Sequence, residues 1–127
     1  MCLRETIKKK RNRGLRAYRK GILAEYLVAF FLRLKGYKIL GMRIKTPVGE
    51  IDVLTKQKKQ LIAFEVKAYK DTLQAAECIE RFSKSRTSRA LLCYLTQNPQ
   101  YVSYELRVDA VVLNALWFPR HFKNIAS

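Results

Sequence analysis

The residues of this chain best suited to chemistry lie in two short strings, Gly49-Glu50-Ile51-Asp52-Val53 and Phe64-Glu65-Val66-Lys67, with Asp52 and Glu65 thirteen residues apart. A hairpin turning at Lys58-Lys59 sets residue i against residue 117 − i, and facing residues share one side of a sheet. Asp52 then faces Glu65, and Glu50 faces Lys67. The other side pairs Ile51 with Val66 and Val53 with Phe64, all apolar. One core face and one charged face are predicted. Like charges set directly opposite destabilise a strand pair. Asp52 against Glu65 is therefore a poor way to build a sheet and a reasonable way to hold a divalent cation.

A third carboxylate, Glu25, sits in the apolar run Ile22-Leu23-Ala24-Glu25-Tyr26-Leu27-Val28-Ala29-Phe30. On a helix it shares a face with Val28, Ala29 and Leu32. A carboxylate there must find a partner or take up a proton. Two readings stand: a salt-bridged glutamate at the helix rim, or a third acid closing the hairpin site. Magnesium prefers one or two carboxylates plus waters and phosphate oxygens, so an acidic pocket on a basic protein suits Mg²⁺ chemistry on phosphate esters. Lys67 lies one same-face step past Glu65. Its ammonium can orient an attacking water or stabilise phosphoryl charge, and a cross-strand salt bridge to Glu50 is compatible with that. Asp109 in Arg107-Val108-Asp109 reads as another active-site acid or, the favoured reading, as a structural partner of Arg107 or of a backbone amide. His121, the one histidine, reads as structural. No Ser/His/Asp pattern, phosphate-cradling glycine loop or Cys-x-x-Cys competes.

The elements that must position these groups follow from periodicity and punctuation. Leu15 to Lys35 reads as a helix stopped by Gly36. Tyr37 to Lys45 reads as a strand, and Thr46-Pro47-Val48-Gly49 is turn chemistry. Glu50 to Thr55 and Leu61 to Ala68 are the hairpin strands. Asp71-Thr72 resembles a helix N-cap before Leu73 to Phe82. Ser83 to Arg89 is polar and basic, and Ala90 to Leu95 resumes a helical pattern that Asn98-Pro99 ends. Tyr101 to Leu113 is β-rich, with Leu106, Val108, Ala110 and Val112 alternating toward one face. Trp117 to Ser127 reads as a short, partly apolar tail. The order is α-β-β-β-α-β.

The chain has 127 residues, about half of them apolar, with thirteen Tyr or Phe. That is enough for one core and is no disordered composition. The longest apolar run, Ile22 to Leu32, carries Glu25 and falls short of the roughly 20 residues of a membrane span. No secretory h-region opens the chain. Cys2, Cys78 and Cys93 are odd in number and widely spaced, so a reducing cytoplasm is the default. Net charge is +16, and nine of the 26 basic residues lie in residues 1–20 against one acid. The first fourteen residues read as a flexible basic arm carrying Lys8, Lys9, Lys10, Arg11 and Arg13, and residues 15–127 as a single domain. Polyanions are the expected partners. The arm lacks an amphipathic stripe, which favours nucleic acid over an anionic membrane.

An acid on a first helix, then Asp, then Glu-x-Lys on a hairpin, resembles the PD-(D/E)XK nuclease fold of restriction endonucleases and Holliday-junction resolvases. Ala24-Glu25, Gly36-Tyr37, Gly49-Glu50-Ile51-Asp52, Phe64-Glu65-Val66-Lys67, Lys84, Arg107-Val108-Asp109 and the His121…Asn124-Ile125-Ala126 ending are similar to the YraN-like family of small bacterial proteins within that superfamily. The resemblance implies an α/β fold with a restriction-endonuclease-like αβββαβ core, a mixed central sheet flanked by helices. It implies a metal-dependent endonuclease hydrolysing phosphodiester bonds. Asp52, Glu65 and the Val66 carbonyl would hold Mg²⁺ or Mn²⁺, Glu25 would bind a second ion or its water, and Lys67 would position the nucleophilic water. Lys84, Arg86, Arg89, Lys70 and the arm would contact nucleic acid, DNA favoured over RNA, through its backbone. Tyr18 or Tyr69 would stack on unpaired bases. Related resolvases act as dimers, so a homodimer is compatible. The chain departs from the family in carrying Tyr69 where an Arg is usual, followed by Lys70. The alternative is a nucleic-acid-binding protein that keeps the fold and hydrolyses nothing.

Overall fold

The computed structural model describes residue 19 and residues 21–68 and 86–125. The basic arm and the helix expected over Leu73 to Phe82 lie outside these residues. Helix α1 covers residues 21–34. Gly36 stops it with a φ of 94°, a conformation glycine adopts at no steric cost. Ala24, Val28, Ala29 and Leu32 bury one side of the helix, as their spacing of three and four requires.

Five strands follow: β1 Lys38–Thr46, β2 Gly49–Gln57, β3 Gln60–Ala68, β4 Glu105–Leu113 and β5 Pro119–Phe122. They form one mixed sheet in the order β1-β2-β3-β4-β5. The β3–β4 pair is parallel and the rest are antiparallel. A parallel neighbour cannot be reached by a tight turn, and the crossover contains helix α2, Arg86–Gln97. Ile62 and Phe64 of β3 join the core cluster under α1. Leu61 and Ala63 join the cluster under Ala90 and Leu91 of α2. The two helices therefore cover opposite faces, and the sheet is the middle layer. Gly49 lets β2 start hard against α2, because a Cβ there would stand 2.7 Å from the Arg86 carbonyl oxygen.

Three expectations change. The tail contains a fifth strand, β5; Pro119 opens it on the sheet edge, where a missing amide hydrogen costs nothing. Strand β4 does not bury a single face, because Val108 to Leu113 are all buried. Val111 and Leu113 meet the α1 cluster while Val108 meets the α2 cluster. A central strand with a helix on each face reads as a continuous apolar run. The hairpin register i to 117 − i holds from Gln57–Gln60 up to Val53–Phe64 and the paired ladder stops there. Ile51 and Val53 also part company: Val53 packs in the α1 cluster and Ile51 in the α2 cluster. On β1, Arg43 lies between the pairs Met42–Val53 and Ile44–Ile51 and has a φ of 52°. A left-handed residue in a strand rotates the pair, so alternation breaks at Arg43 and Asp52.

Candidate active site

The site lies where the β2–β3 ladder opens. The Val66 amide donates to the Asp52 carboxylate, with N···Oδ2 2.8 Å. The Asp52 side chain thus bridges the separating strands and stands between them. From α1, Glu25 turns toward the same place. Its Oε2 accepts from Arg43 Nη1 at 3.2 Å, and its side chain is 12% exposed. Glu65 Oε1 lies 3.7 Å from Lys67 Nζ, with Glu65 13% and Lys67 36% exposed. Glu50 stays on the surface.

Electrostatics ties the groups together. Burial pushes the Glu25 carboxyl above its usual range, the Asp52 charge pushes it further, and Arg43 opposes both. Burial likewise raises Asp52; the Val66 amide and Lys67 pull it back, and Glu50 adds to the rise. Glu65 is raised by burial, lowered by Lys67 and raised again by Asp52. Asp52 is the common neighbour of the two glutamates. Three crowded, half-desolvated carboxyls that all resist ionisation are short of positive charge. Among the described residues no group of three or more His, Cys, Asp or Glu side chains is placed to hold a metal ion together. The donors are hard oxygens with no thiolate or imidazole among them, which suits Mg²⁺ or Mn²⁺ held by two carboxylates and solvent. Asp52 and Glu65 fit that role, with Glu25 held by Arg43.

Arg43 is the residue that motif reasoning missed. Its signal lay in the Thr46-Pro47-Val48-Gly49 turn, which pairs β1 with β2 and sets position 43 across from position 52. Thr46 closes that turn, its Oγ1 accepting from the amides of Val48 and Gly49 and donating to the Gly49 carbonyl. Of the expected nucleic-acid contacts, Arg86 and Arg89 are exposed on α2. Lys70, Lys84, Lys8, Lys9, Lys10, Arg11, Arg13, Tyr18 and Tyr69 lie outside the described residues.

Asp109 and His121 are structural, as their types suggested. Asp109 is fully buried. It accepts from Arg107 Nε at 2.8 Å and Nη2 at 2.9 Å, from the Asn124 amide at 2.8 Å, and from His121 Nε2 at 2.7 Å. Lys35 Nζ sits 2.8 Å from His121 Nδ1. An ammonium can only donate, so Nδ1 is the acceptor and Nε2 carries the proton toward Asp109. Burial alone would raise the Asp109 carboxyl; donors from His121, Arg107 and Asn124 outweigh it and hold the group below its usual range.

These opposite shifts give an expected pH profile. In the folded state Glu25, Asp52 and Glu65 take protons more readily than in the unfolded chain. Acidifying toward their ordinary values of 4.5, 3.8 and 4.5 protonates the folded state first, and stability rises. Asp109 has the reverse sign: its stabilisation is whole above its ordinary 3.8 and is lost as pH falls through its lowered value. Metal-free melting temperature, taken as parent minus Asp52→Asn to cancel the general charge effect, should rise as the pH falls from neutral toward the ordinary carboxylate values of 3.8 and 4.5. A difference that is flat or falls over that range would refute the crowding of the three acids.

The model of "Uncharacterised protein family UPF0102" matches residues 24–113. A UPF0102 protein of Chelativorans sp. (strain BNC1) is 41% identical over 110 residues, covering 87% of this chain and 89% of that protein. One from Parvibaculum lavamentivorans is 40% identical over 108 residues, covering 85% and 81%. Another, from Rhodopseudomonas palustris (strain HaA2), is 42% identical over 106 residues, covering 83% and 82%. The matched span runs from the buried face of α1 to the end of β4 and so holds Glu25, Arg43, Asp52, Glu65 and Lys67, and the chain belongs to family UPF0102, the YraN family.

Proposed function

We propose that this chain is a divalent-metal-dependent nuclease that hydrolyses phosphodiester bonds of nucleic acid. The observation that carries the reading is Asp52, held by the Val66 amide where two central strands separate, lying in the field of both Glu25 and Glu65, with Lys67 beside Glu65. A mixed five-stranded sheet with a helix on each face, consistent with a restriction-endonuclease-like core, supports it.

Each residue has a task in this reading. Asp52 and Glu65 would hold the cation, with the Val66 carbonyl beside them. The Val66 amide orients Asp52, leaving Oδ1 for the ion. When bound, Mg²⁺ or Mn²⁺ supplies charge neutralisation at the phosphate and a more acidic water. Lys67 would hold the attacking water in line and stabilise charge on the phosphoryl oxygens. Arg43 opposes the burial and the Asp52 charge that raise the Glu25 carboxyl, and it holds Oε2 at 3.2 Å. The exposed Arg86 and Arg89 would grip the backbone without reading sequence.

The deciding experiment incubates the full chain with branched, single-stranded and duplex DNA and with RNA, in Mg²⁺, Mn²⁺ or chelator. Cleavage that requires metal supports the reading. Binding without cleavage under every condition favours the non-catalytic binder. Lys67→Met separates the roles: cleavage should fall by about 100-fold or more, while Mn²⁺ still raises the melting temperature as in the parent. If Lys67→Met cleaves normally, the lysine has no part in the chemistry.

A further inference from the structure

Helix α1 is apolar on two sides. One side is the core face already described, and the opposite side carries Leu23, Tyr26, Leu27, Phe30 and Leu34, which are 62%, 62%, 37%, 61% and 72% exposed. At 100° per residue these five fall in one stripe roughly 100° wide. A soluble helix normally turns charge to that side, and a helix apolar all round is normally buried. Scattered exposed leucines need no explanation, whereas a continuous stripe marks an interaction surface.

We infer that this stripe is the contact between two copies of the chain, packed as antiparallel α1 helices about a twofold axis. The spacing is self-complementary. Leu23 and Leu34 stand equally far from the point between Val28 and Ala29, and so do Leu27 and Phe30. In an antiparallel pair Leu27 faces Phe30 of the partner subunit and Leu23 faces Leu34 of the partner subunit. A twofold contact needs such a surface, because one patch must fit itself. Charge permits it: within residues 21–34 the charged residues are Glu25 and Arg33, and in this register Arg33 falls across from Ala24 of the partner subunit. Five large side chains, two of them aromatic, offer roughly 500 Å² per copy, a substantial part of the roughly 800 Å² per partner in a stable complex. Leu116 and Phe118, also exposed, flank Trp117, which packs on the same cluster as α1. A lipid surface would accept any apolar stripe and makes no demand on mirrored spacing. Stacking on nucleic-acid bases would call for aromatics where three of the five are leucine.

Sedimentation equilibrium of the full chain tests this, at a salt concentration that screens its +16 charge. The parent should be dimeric. Phe30→Glu and Leu27→Lys, both at exposed positions and so compatible with folding, should each weaken the dimer by about 100-fold or more. Mixed together, the two variants should associate again, because position 30 of one copy meets position 27 of the other. Leu92→Glu, on the exposed side of α2, should dimerise like the parent. A monomeric parent overturns the proposal. Two further measurements then say what takes its place. Phe30-dependent sedimentation with anionic phosphatidylglycerol vesicles would name lipid as the occupant, and a loss of monomer stability in Phe30→Glu would name another segment of the same chain. A dimer unaffected by Phe30→Glu, or no association on mixing, also overturns it. None of these readouts involves cleavage, so the result is independent of the proposed chemistry.

Discussion

In the proposed nuclease, Asp52→Asn should abolish stabilisation by Mn²⁺ and lower nucleic-acid cleavage by more than about 100-fold, the upper end of what loss of a mere supporting contact costs a metal site. The substitution is nearly isosteric. Asparagine keeps an oxygen that can accept from the Val66 amide, now made by Asp52 Oδ2 at 2.8 Å, so the opening between β2 and β3 should persist. What disappears is the negative charge that pushes Glu25 and Glu65 up. Without metal the variant should therefore melt at or above the parent temperature, since crowded carboxylates destabilise the site they form. Gain of stability with loss of function is the mark of a residue kept for chemistry. Thermal melts of parent and variant, each with and without Mn²⁺, read both effects, and a parallel cleavage assay reads the third. Equal Mn²⁺ shifts in the two proteins, or normal cleavage by the variant, would falsify the metal assignment. A sharply lower melting point for the metal-free variant would instead make Asp52 a structural strand clip.

The largest loss of stability is expected from Asp109→Ala, about 3–5 kcal/mol of the 5–15 kcal/mol that hold a typical domain. The carboxylate is fully buried and satisfies Arg107 twice, His121 once and the Asn124 amide once. Removing it leaves the Arg107 guanidinium without its carboxylate, held only by Gln60 and the Tyr37 hydroxyl, and strands the Asn124 backbone donor, and the cost of burying an uncompensated charge exceeds that of the lost bonds. The same group fastens the C-terminal end. Strand β5 holds β4 through four residue pairs, from Ala110–Phe122 to Leu113–Pro119, and the Ile125 amide donates to the Val108 carbonyl at 2.8 Å. Urea unfolding measures the loss, and amide exchange in β5 should rise before exchange in β2 and β3. Asp109→Asn, which keeps an acceptor, should cost less than Asp109→Ala and serves where alanine prevents folding. A loss below about 1 kcal/mol for Asp109→Ala, the range of an ordinary surface change, would remove this cluster as the anchor of β5.

The resemblance to a known family pointed to the same residues as the spacing did, and the two routes rest on different physics. The hairpin register up to Val53–Phe64 could be worked out because side chains alternate along a regular strand and the two strands meet across Lys58-Lys59. Lys58 indeed adopts a φ of 54°. Glu25 was ambiguous for a good reason. A carboxylate on an apolar helix face reads the same whether it is salt-bridged or part of an acidic site, and the structure pairs it with Arg43 and sets it in the field of Asp52. Strand β5 was hidden by its shortness and by Pro119, which lowers local strand propensity but is harmless on an edge.

By itself, the sequence determined what depends on near neighbours: where α1 stops, how β2 and β3 pair up to Phe64, and which carboxylates are too few and too apolar in setting to be ordinary surface charge. Tertiary structure alone decided what depends on distant segments meeting. Glu25 and Arg43 are 18 positions apart, and Lys35 and His121 are 86 apart. No local pattern encodes those contacts, because they arise only once α1 has closed on the sheet and β5 has joined its edge. The turning of Ile51 away from Val53 belongs to the same class. It comes from the left-handed backbone at Arg43, on a neighbouring strand, and its consequence is the opening in which Asp52 stands.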